Sequence, residues 1–569
     1  MFFKLILQII IFISIVNIVH AKNFDKYKQA DKISNYFSGI VALNDSEYFN
    51  SYKYLKKLEG LEDIHLRYSQ LYQYALVNIE RFEEAFKYSK KLEKKGVSYY
   101  ESNLVIGIYH LKNENYNLAK KYFKKLRYKN SRNNLPTLLT ETLNLWVTFP
   151  EVSKSIALKS INELPKRYDS IKKIQNIFTH CFYNSEDTIQ EFEKLNSEQK
   201  ESFQRYNFFF ANYLNKIGKK NKAILFIDNS IDLYPKNLMI NQFREDILSA
   251  KKKSFADSFD CQKIQNVIAE IFYITANALS SQSQYALSNF YINLAKYLNP
   301  NFTSFETLYA ENFFRTGNYN KAQKIYEKIK NKGSVYSWYA SKQKAATLFE
   351  VREKVDAVSY LEEEFKNIKN PKINEIYEYA SFLKNNKKYK EAALFYTKVL
   401  ENIDSEHFLY AEASDGRGIA YERTGRWEKA ELDFLNSLKA LPDQAYVMNY
   451  LAYSWIEKGI NIEKSLKMLE KANELKKNDG YIIDSLGWAL FKLKRYNESK
   501  DYLQEALSLM PFDPTINDHF ADSLWMNSQK VQARYYWNTV LKLDKVEKKL
   551  KNSILDKLIF EKDFNIILL

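Results

Sequence analysis

Carboxylates and indoles recur at one-turn spacing near the C-terminal end of the chain: Asp484 stands four residues before Trp488, Asp518 four before Asp522, and Trp525 follows. Asp415, Asn449 and Tyr453 occupy the same register earlier in the sequence. On a helix, residues at this spacing share a face. Carboxylates accept hydrogen bonds from a peptide backbone or from Lys and Arg, and aromatic faces bury area at low entropic cost. The chemistry on offer is the holding of another chain.

Bond-breaking chemistry lacks its parts. Gly416-x-Gly418 is followed by Tyr421 where a dinucleotide loop needs glycine, and no glycine precedes Gly218-Lys219 at phosphate-loop spacing. No His-Glu-x-x-His and no Gly-x-Ser-x-Gly occurs. Ser-x-x-Lys appears at Ser170 to Lys173 and Ser197 to Lys200, as accident produces in a Lys-rich chain. Among the scattered histidines His180 adjoins a cysteine, Cys181, but adjacent residues point in different directions on a helix. The sequence therefore predicts no catalytic residue, no metal and no cofactor, and a protein that is not an enzyme.

Composition narrows the elements that must position the acidic and aromatic residues. Gly 13 and Pro 9, together 22 of 569 residues, are about 4% of the chain, where an average protein carries roughly 12%. Too few turn formers remain for a many-stranded sandwich, barrel or propeller, and an all-α chain is the economical reading. The net charge is 85 − 69 = +16. Lys is interspersed with Glu and accompanied by abundant Asn, Ile, Tyr and Phe, a compositional drift that leaves a solvated basic surface, so no nucleic-acid partner is expected.

Residues 1–21 have the parts of a secretory signal peptide: Lys4, an apolar stretch from Leu5 to Val19, and a Val19-His20-Ala21 end before Lys22. Cleavage after Ala21 is expected, with retention as an uncleaved membrane anchor the alternative, since Lys22, Lys26 and Lys28 place positive charge on the exported side. Export puts Cys181 and Cys261 in an oxidising compartment; whether they pair is left open.

An internal period of 34 organises the rest. Gly418, Tyr421, Ala430, Phe434 and Pro442 fall at offsets 0, 3, 12, 16 and 24, and Gly487, Leu490, Leu503, Ala506 and Pro511 at 0, 3, 16, 19 and 24. Small residues recur in the first position at Ala276, Ala310, Ala345, Ala380, Gly418, Ala452, Gly487 and Ala521, and more weakly at Gly39, Gly107 and Ala211, with Gln73 in phase. The 104 residues between Gly107 and Ala211 leave room for two degenerate units. Small residues at offsets 0, 12 and 19 allow two helices to approach; large residues at 3 and 16 fill the space between hairpins; proline at 24 fixes the backbone between helices.

This pattern resembles the tetratricopeptide repeat. The resemblance implies a right-handed superhelical solenoid of about fourteen helix-turn-helix units, each burying its apolar face only against its neighbours, with a concave groove lined by first helices. The expected organisation is a signal peptide at 1–21, a degenerate N-terminal array at 30–240, an irregular joint at 241–265, a C-terminal array at 266–545 and a capping helix at 546–569. In the cap, Leu550, Ile554 and Leu558 form the apolar face, with Lys548, Lys549 and Lys557 elsewhere on the wheel. In such repeats the residues three before and one after the small position face the groove. That frame selects Asp415, Asn449, Tyr453, Asp484, Trp488, Asp518 and Asp522, with Trp525 further along its helix, as partner-binding residues. The alternative for Trp488 and Trp525 is packing between hairpins. The acidic lining does not match the Lys/Asn clamp that holds a terminal carboxylate.

The runs Asn449-Tyr450-Leu451-Ala452-Tyr453, Asp479 to Trp488 and Pro514 to His519 are similar to the C-terminal array of exported bacterial tetratricopeptide proteins, many of them outer-membrane lipoproteins. That similarity implies an envelope scaffold or adaptor, in some relatives one that serves a periplasmic protease. No cysteine precedes Cys181, which speaks against attachment by lipid. The sequence thus predicts an exported protein of the periplasm or cell envelope that binds other proteins or extended peptide segments. A membrane-anchored assembly or tethering factor and a carbohydrate-binding envelope protein are the alternatives.

Overall fold

The computed structural model describes residues 29–62, 64–126, 135–165, 168–198, 203–249, 258–351, 354–543 and 546–560. Residues 1–21 and the tail Ile566 to Leu569 lie outside them. Every described element is a helix. The chain divides into two compact units, residues 1–364 and 365–569. This boundary falls inside what the sequence frame treats as a single C-terminal array.

Helices pair into hairpins because small residues let them. Ala276, Ala310, Ala345, Ala380, Ala452 and Ala521 on first helices, and Ala322, Ala357, Ala392, Ala430 and Ala533 on second helices, are all fully buried. The glycines show how close the approach is. A Cβ on Gly418 would lie 2.7 Å from the Phe434 ring, one on Gly487 2.7 Å from Leu503 Cγ, and one on Gly107 would overlap Phe123. Each partner is the residue sixteen positions on, so the offset-16 side chain fills the space that the missing Cβ vacates. Gly418→Leu is expected to lower stability by about 1–3 kcal/mol through overpacking, read as a shift of the urea midpoint at unchanged slope.

In the N-terminal unit, two hairpins occupy the 104-residue interval: Leu135–Trp146 with Lys154–Asn162, and Asp169–Phe182 with Thr188–Ser197. After a further hairpin, Gln204–Lys216 with Lys220–Leu233, comes the helix Leu238–Leu248, so the segment read as irregular begins inside a helix. Its later part is tied back: Cys261 is disulfide-bonded to Cys181, and Asn212 Nδ2 and Lys216 Nζ donate to Phe259 O at 3.0 and 2.8 Å.

The expectation that hairpins touch only their neighbours fails in this unit. The hairpin Ile264–Ser281 and Tyr285–Leu298 packs against the first helices Leu66–Asn78 and Tyr100–Lys112. Asn289 Nδ2 donates to Tyr48 Oη at 2.7 Å, Asn293 Nδ2 to Asn78 Oδ1 at 3.1 Å and Lys112 Nζ to Leu298 O at 3.2 Å. Ring centroids lie 4.4 Å apart for Tyr74 and Phe290 and 4.2 Å for Phe82 and Tyr297. The inner faces of the early repeats are therefore covered by the chain itself.

Among its described residues the C-terminal unit holds five hairpins, from Ile373–Asn385 with Tyr389–Leu400 to Pro514–Met526 with Lys530–Lys542, followed by the helix Lys548–Phe560. Local signals set the starts of its later first helices. Asp479 Oδ1 accepts from the backbone N–H groups of Tyr481 and Ile482, and Asp513 Oδ1 from those of Thr515 and Ile516, with Pro514 in the first turn. Among the described residues no helix is long and apolar enough to cross a membrane.

Candidate functional site

Three successive first helices, Ala445–Glu457, Gly480–Lys492 and Pro514–Met526, meet the C-terminal helix Lys548–Phe560 around a cavity of 490 Å³. Tyr453, Trp488 and Phe491 supply its aromatic wall, and Glu457, Asp518 and Asp522 its carboxylates. Trp488 stacks nearly parallel on Phe491 and on His519, with centroids 4.7 and 4.0 Å apart, while its indole N–H donates to Glu457 Oε1 at 2.8 Å. One side of the wall is thus a stack of rings whose indole is fixed by Glu457.

Four of the eight residues singled out from sequence, Tyr453, Trp488, Asp518 and Asp522, line this cavity. Asp484 stands behind it, buried, with its carboxylate oxygens 3.0 and 3.1 Å from His519 Nδ1. The other three lie elsewhere. Asp415 is on the helix Tyr410–Glu422, where burial pushes its carboxyl up to about 6. Asn449 is half-buried in Ala445–Glu457 without reaching the cavity. Trp525 packs within the last hairpin, 5.3 Å from Trp537 and beneath the Lys530 ammonium, and these contacts are not between hairpins.

The acidic lining is not open to a partner as the repeat frame implied, because Lys557 already sits in it. Its Nζ lies 2.8 Å from Asp518 Oδ1 and 2.7 and 2.8 Å from the Asp522 oxygens. Placing Lys557 off the apolar face of the cap misses this; so does reading the histidines as scattered. The one available signal is spacing. His519 is 35 residues after Asp484, one repeat on, and Lys557 is three after Ile554, on the face that the cap buries.

Electrostatics follow from this seating. Asp518 and Asp522 are one turn apart on one buried face, so their charges repel unless a cation stands between them. Burial pushes Asp522 up to about 6, against the pull of Lys557. Burial alone would depress His519, but the Asp484 carboxylate, with Asp518 and Asp522 beyond it, holds it above its usual 6.5. A raised histidine value contributes stability that is complete below the unfolded value and is lost as pH rises through the folded one. Unit-selective urea midpoints followed by tryptophan fluorescence should fall between pH 6.5 and alkaline pH, and His519→Gln should flatten that decline.

In the N-terminal unit a second cavity, of 650 Å³, is lined by first-helix residues including Arg205, Tyr273, Glu311 and Tyr336. It lies outside the C-terminal stretch that holds the residues selected from sequence. Arg205 there is committed to a bidentate pair with Glu270, at 2.6 and 2.8 Å. Among the described residues no group of three His, Cys, Asp or Glu is placed to hold a metal ion.

A family model described as tetratricopeptide repeat matches residues 483–513, which carry the Trp488 wall. The chain is similar to the TPR repeat-containing protein PA4667 of Pseudomonas aeruginosa, at 25% identity over 95 residues, covering 17% of this chain and 16% of that protein. It therefore spans about one sixth of the length of that curated relative. Solved structures with similar arrangements include MamA of AMB-1, at 21% identity and TM-score 0.27, covering 30% of this chain and 98% of that one. A tetratricopeptide repeat protein from Parabacteroides merdae is similar at 19% identity and TM-score 0.33, covering 40% and 87%.

Proposed function

We propose, from the premise that this chain is a tetratricopeptide-repeat protein, that it is a non-enzymatic scaffold of the bacterial cell envelope whose C-terminal unit holds a segment of a partner protein. The observation that carries this reading is the 490 Å³ cavity between three consecutive first helices, walled by Tyr453, Trp488 and Phe491 and rimmed by Glu457 and Thr515. Its aromatic faces and carboxylates suit a peptide's apolar and basic side chains. Export is supported by the 1–21 pattern and by the disulfide between Cys181 and Cys261. The resemblance to exported relatives favours an adaptor role, in which the bound segment belongs to an envelope enzyme such as a periplasmic protease or to its substrate.

The test is site-specific photocrosslinking of the tagged protein in its own cells, with the photoreactive residue at Tyr453 or Thr515, compared with Leu432, which is 59% exposed on a second helix. Capture of one protein from both groove positions but not from position 432 is the expected result. Equal capture from all three, or none from the groove, sinks the reading. Sequencing the N-terminus of the same material decides the compartment: Lys22 as first residue accords with release into the periplasm, and Met1 replaces it with the anchored tether.

A further inference from the structure

The C-terminal helix Lys548–Phe560 stands across the groove without filling it. Its side toward the first helices, with Lys549, Leu550, Ser553 and Lys557, forms one wall of the 490 Å³ cavity. Protein interiors are close-packed, and a helix serving only as an end cap closes such a space. Its hold is narrow: Ile554 is fully buried, Leu550 and Leu558 are half-buried, and Leu555 and Ile559 are 43% and 66% exposed. The polar anchor is Lys557, whose ammonium lies between Asp518 and Asp522. These two carboxylates belong to the groove face of a first helix, the place where a partner's side chain would sit. A helix with four lysines and one aspartate over residues 548–560 thus meets a face bearing Asp518, Asp522 and Glu457.

We infer that Lys548–Phe560 is a displaceable internal ligand of the groove, and that the partner segment is a basic amphipathic helix that seats a Lys or Arg between Asp518 and Asp522 in place of Lys557. This rests on the reading of the groove as a protein-binding site and names its partner class. The complementarity is what selects that class: two buried carboxylates one turn apart accept a cation and reject an acidic or neutral segment, and the aromatic wall of Tyr453, Trp488 and Phe491 receives the apolar face of the same helix. The chain's own helix then sets a threshold, because a partner binds only by exceeding the docking of a tethered competitor.

The probe is a fluorescein-labelled peptide with the sequence of residues 546–560, alongside the same peptide carrying Lys557→Glu. Both are titrated against the full chain and against the full-chain double variant Ile554→Ser, Lys557→Ser, which loosens the resident helix. The expected result is at least tenfold tighter binding of the native peptide by the double variant than by the unmodified chain, with the Lys557→Glu peptide bound by neither. Equal affinity of the two chains, or equal binding of the two peptides by a double variant that retains its helical circular dichroism, overturns the inference. So does a concentration-dependent dimer of the double variant that excludes the peptide, since the occupant is then a second copy. If the double variant does not fold, hydrogen exchange on the unmodified chain decides: amides of Lys548–Phe560 should exchange at least tenfold faster than those of Lys530–Lys542, and equal protection makes the helix a fixed cap. Crosslinking from Tyr453 and Thr515 in cells reads the groove separately, so capture there with a failed peptide titration rejects the basic-helix class and leaves the groove standing.

Discussion

Replacing Arg205 by leucine will lower the stability of the N-terminal unit by about 3–5 kcal/mol, the cost of leaving one member of a buried ion pair without its partner. The geometry explains the size. Arg205 Nε and Nη2 donate to the two Glu270 oxygens at 2.6 and 2.8 Å, Nη1 donates to Ser304 Oγ at 2.5 Å, and the guanidinium lies 3.8 Å from the centroid of the Tyr273 ring. Glu270 is fully buried on the helix Ile264–Ser281. With leucine at 205 the buried carboxylate has no countercharge. The double variant Arg205→Leu, Glu270→Leu should recover most of the loss, because removing both charges also removes their desolvation cost. Urea unfolding of the two single variants and the double variant forms the cycle. A double variant no more stable than Arg205→Leu would show that the pair acts through packing on Tyr273 and not through charge.

Trp537→Ala will destabilise the end of the C-terminal unit by about 3–5 kcal/mol, the range for deleting a buried large aromatic. Trp537 is fully buried, packs 5.3 Å from Trp525, and donates its indole N–H to Asp522 Oδ1 at 3.0 Å. Two effects compete for the explanation. The cavity accounts for the larger share, since a single hydrogen bond is worth about 0.5–1.5 kcal/mol, or about 1.5–3 when its acceptor is charged. Trp537→Phe, which keeps much of the bulk and loses the donor, should therefore cost about half as much or less. Differential scanning of both variants separates the two. Equal losses from Ala and Phe would mean that the bond to Asp522 governs the site. Because Asp522 also holds Lys557, both variants should loosen Lys548–Phe560, visible as faster amide exchange there.

Much of this protein is legible in its sequence because the signals are local. The small residues at Ala310, Ala380, Gly418 and Gly487, and their partners sixteen on, mark hairpins directly: contact between helices one turn of chain apart depends only on the residues between them. The placement of Tyr453, Trp488, Asp518 and Asp522 on the cavity follows from the same register. Asp415, Asn449 and Trp525 share that register or extend it, yet lie off the cavity. A register specifies a direction on each helix, whereas a cavity also needs neighbouring helices and a fourth wall, which Lys548–Phe560 supplies to the first helices of the last three repeats.

By itself the sequence determined the all-helical repeat, its period, and the close approach of the paired helices at Gly107, Gly418 and Gly487. Only the tertiary structure decided that Lys557 turns inward to Asp518 and Asp522, that His519 meets Asp484, that Cys181 bonds Cys261, and that Asn289 reaches Tyr48 across 241 residues. The physical reason is the range of the interactions. A 34-residue period encodes what each hairpin does to the next, while contacts between distant repeats depend on the small rotations accumulated over every hairpin between them, and no single stretch of sequence carries that sum.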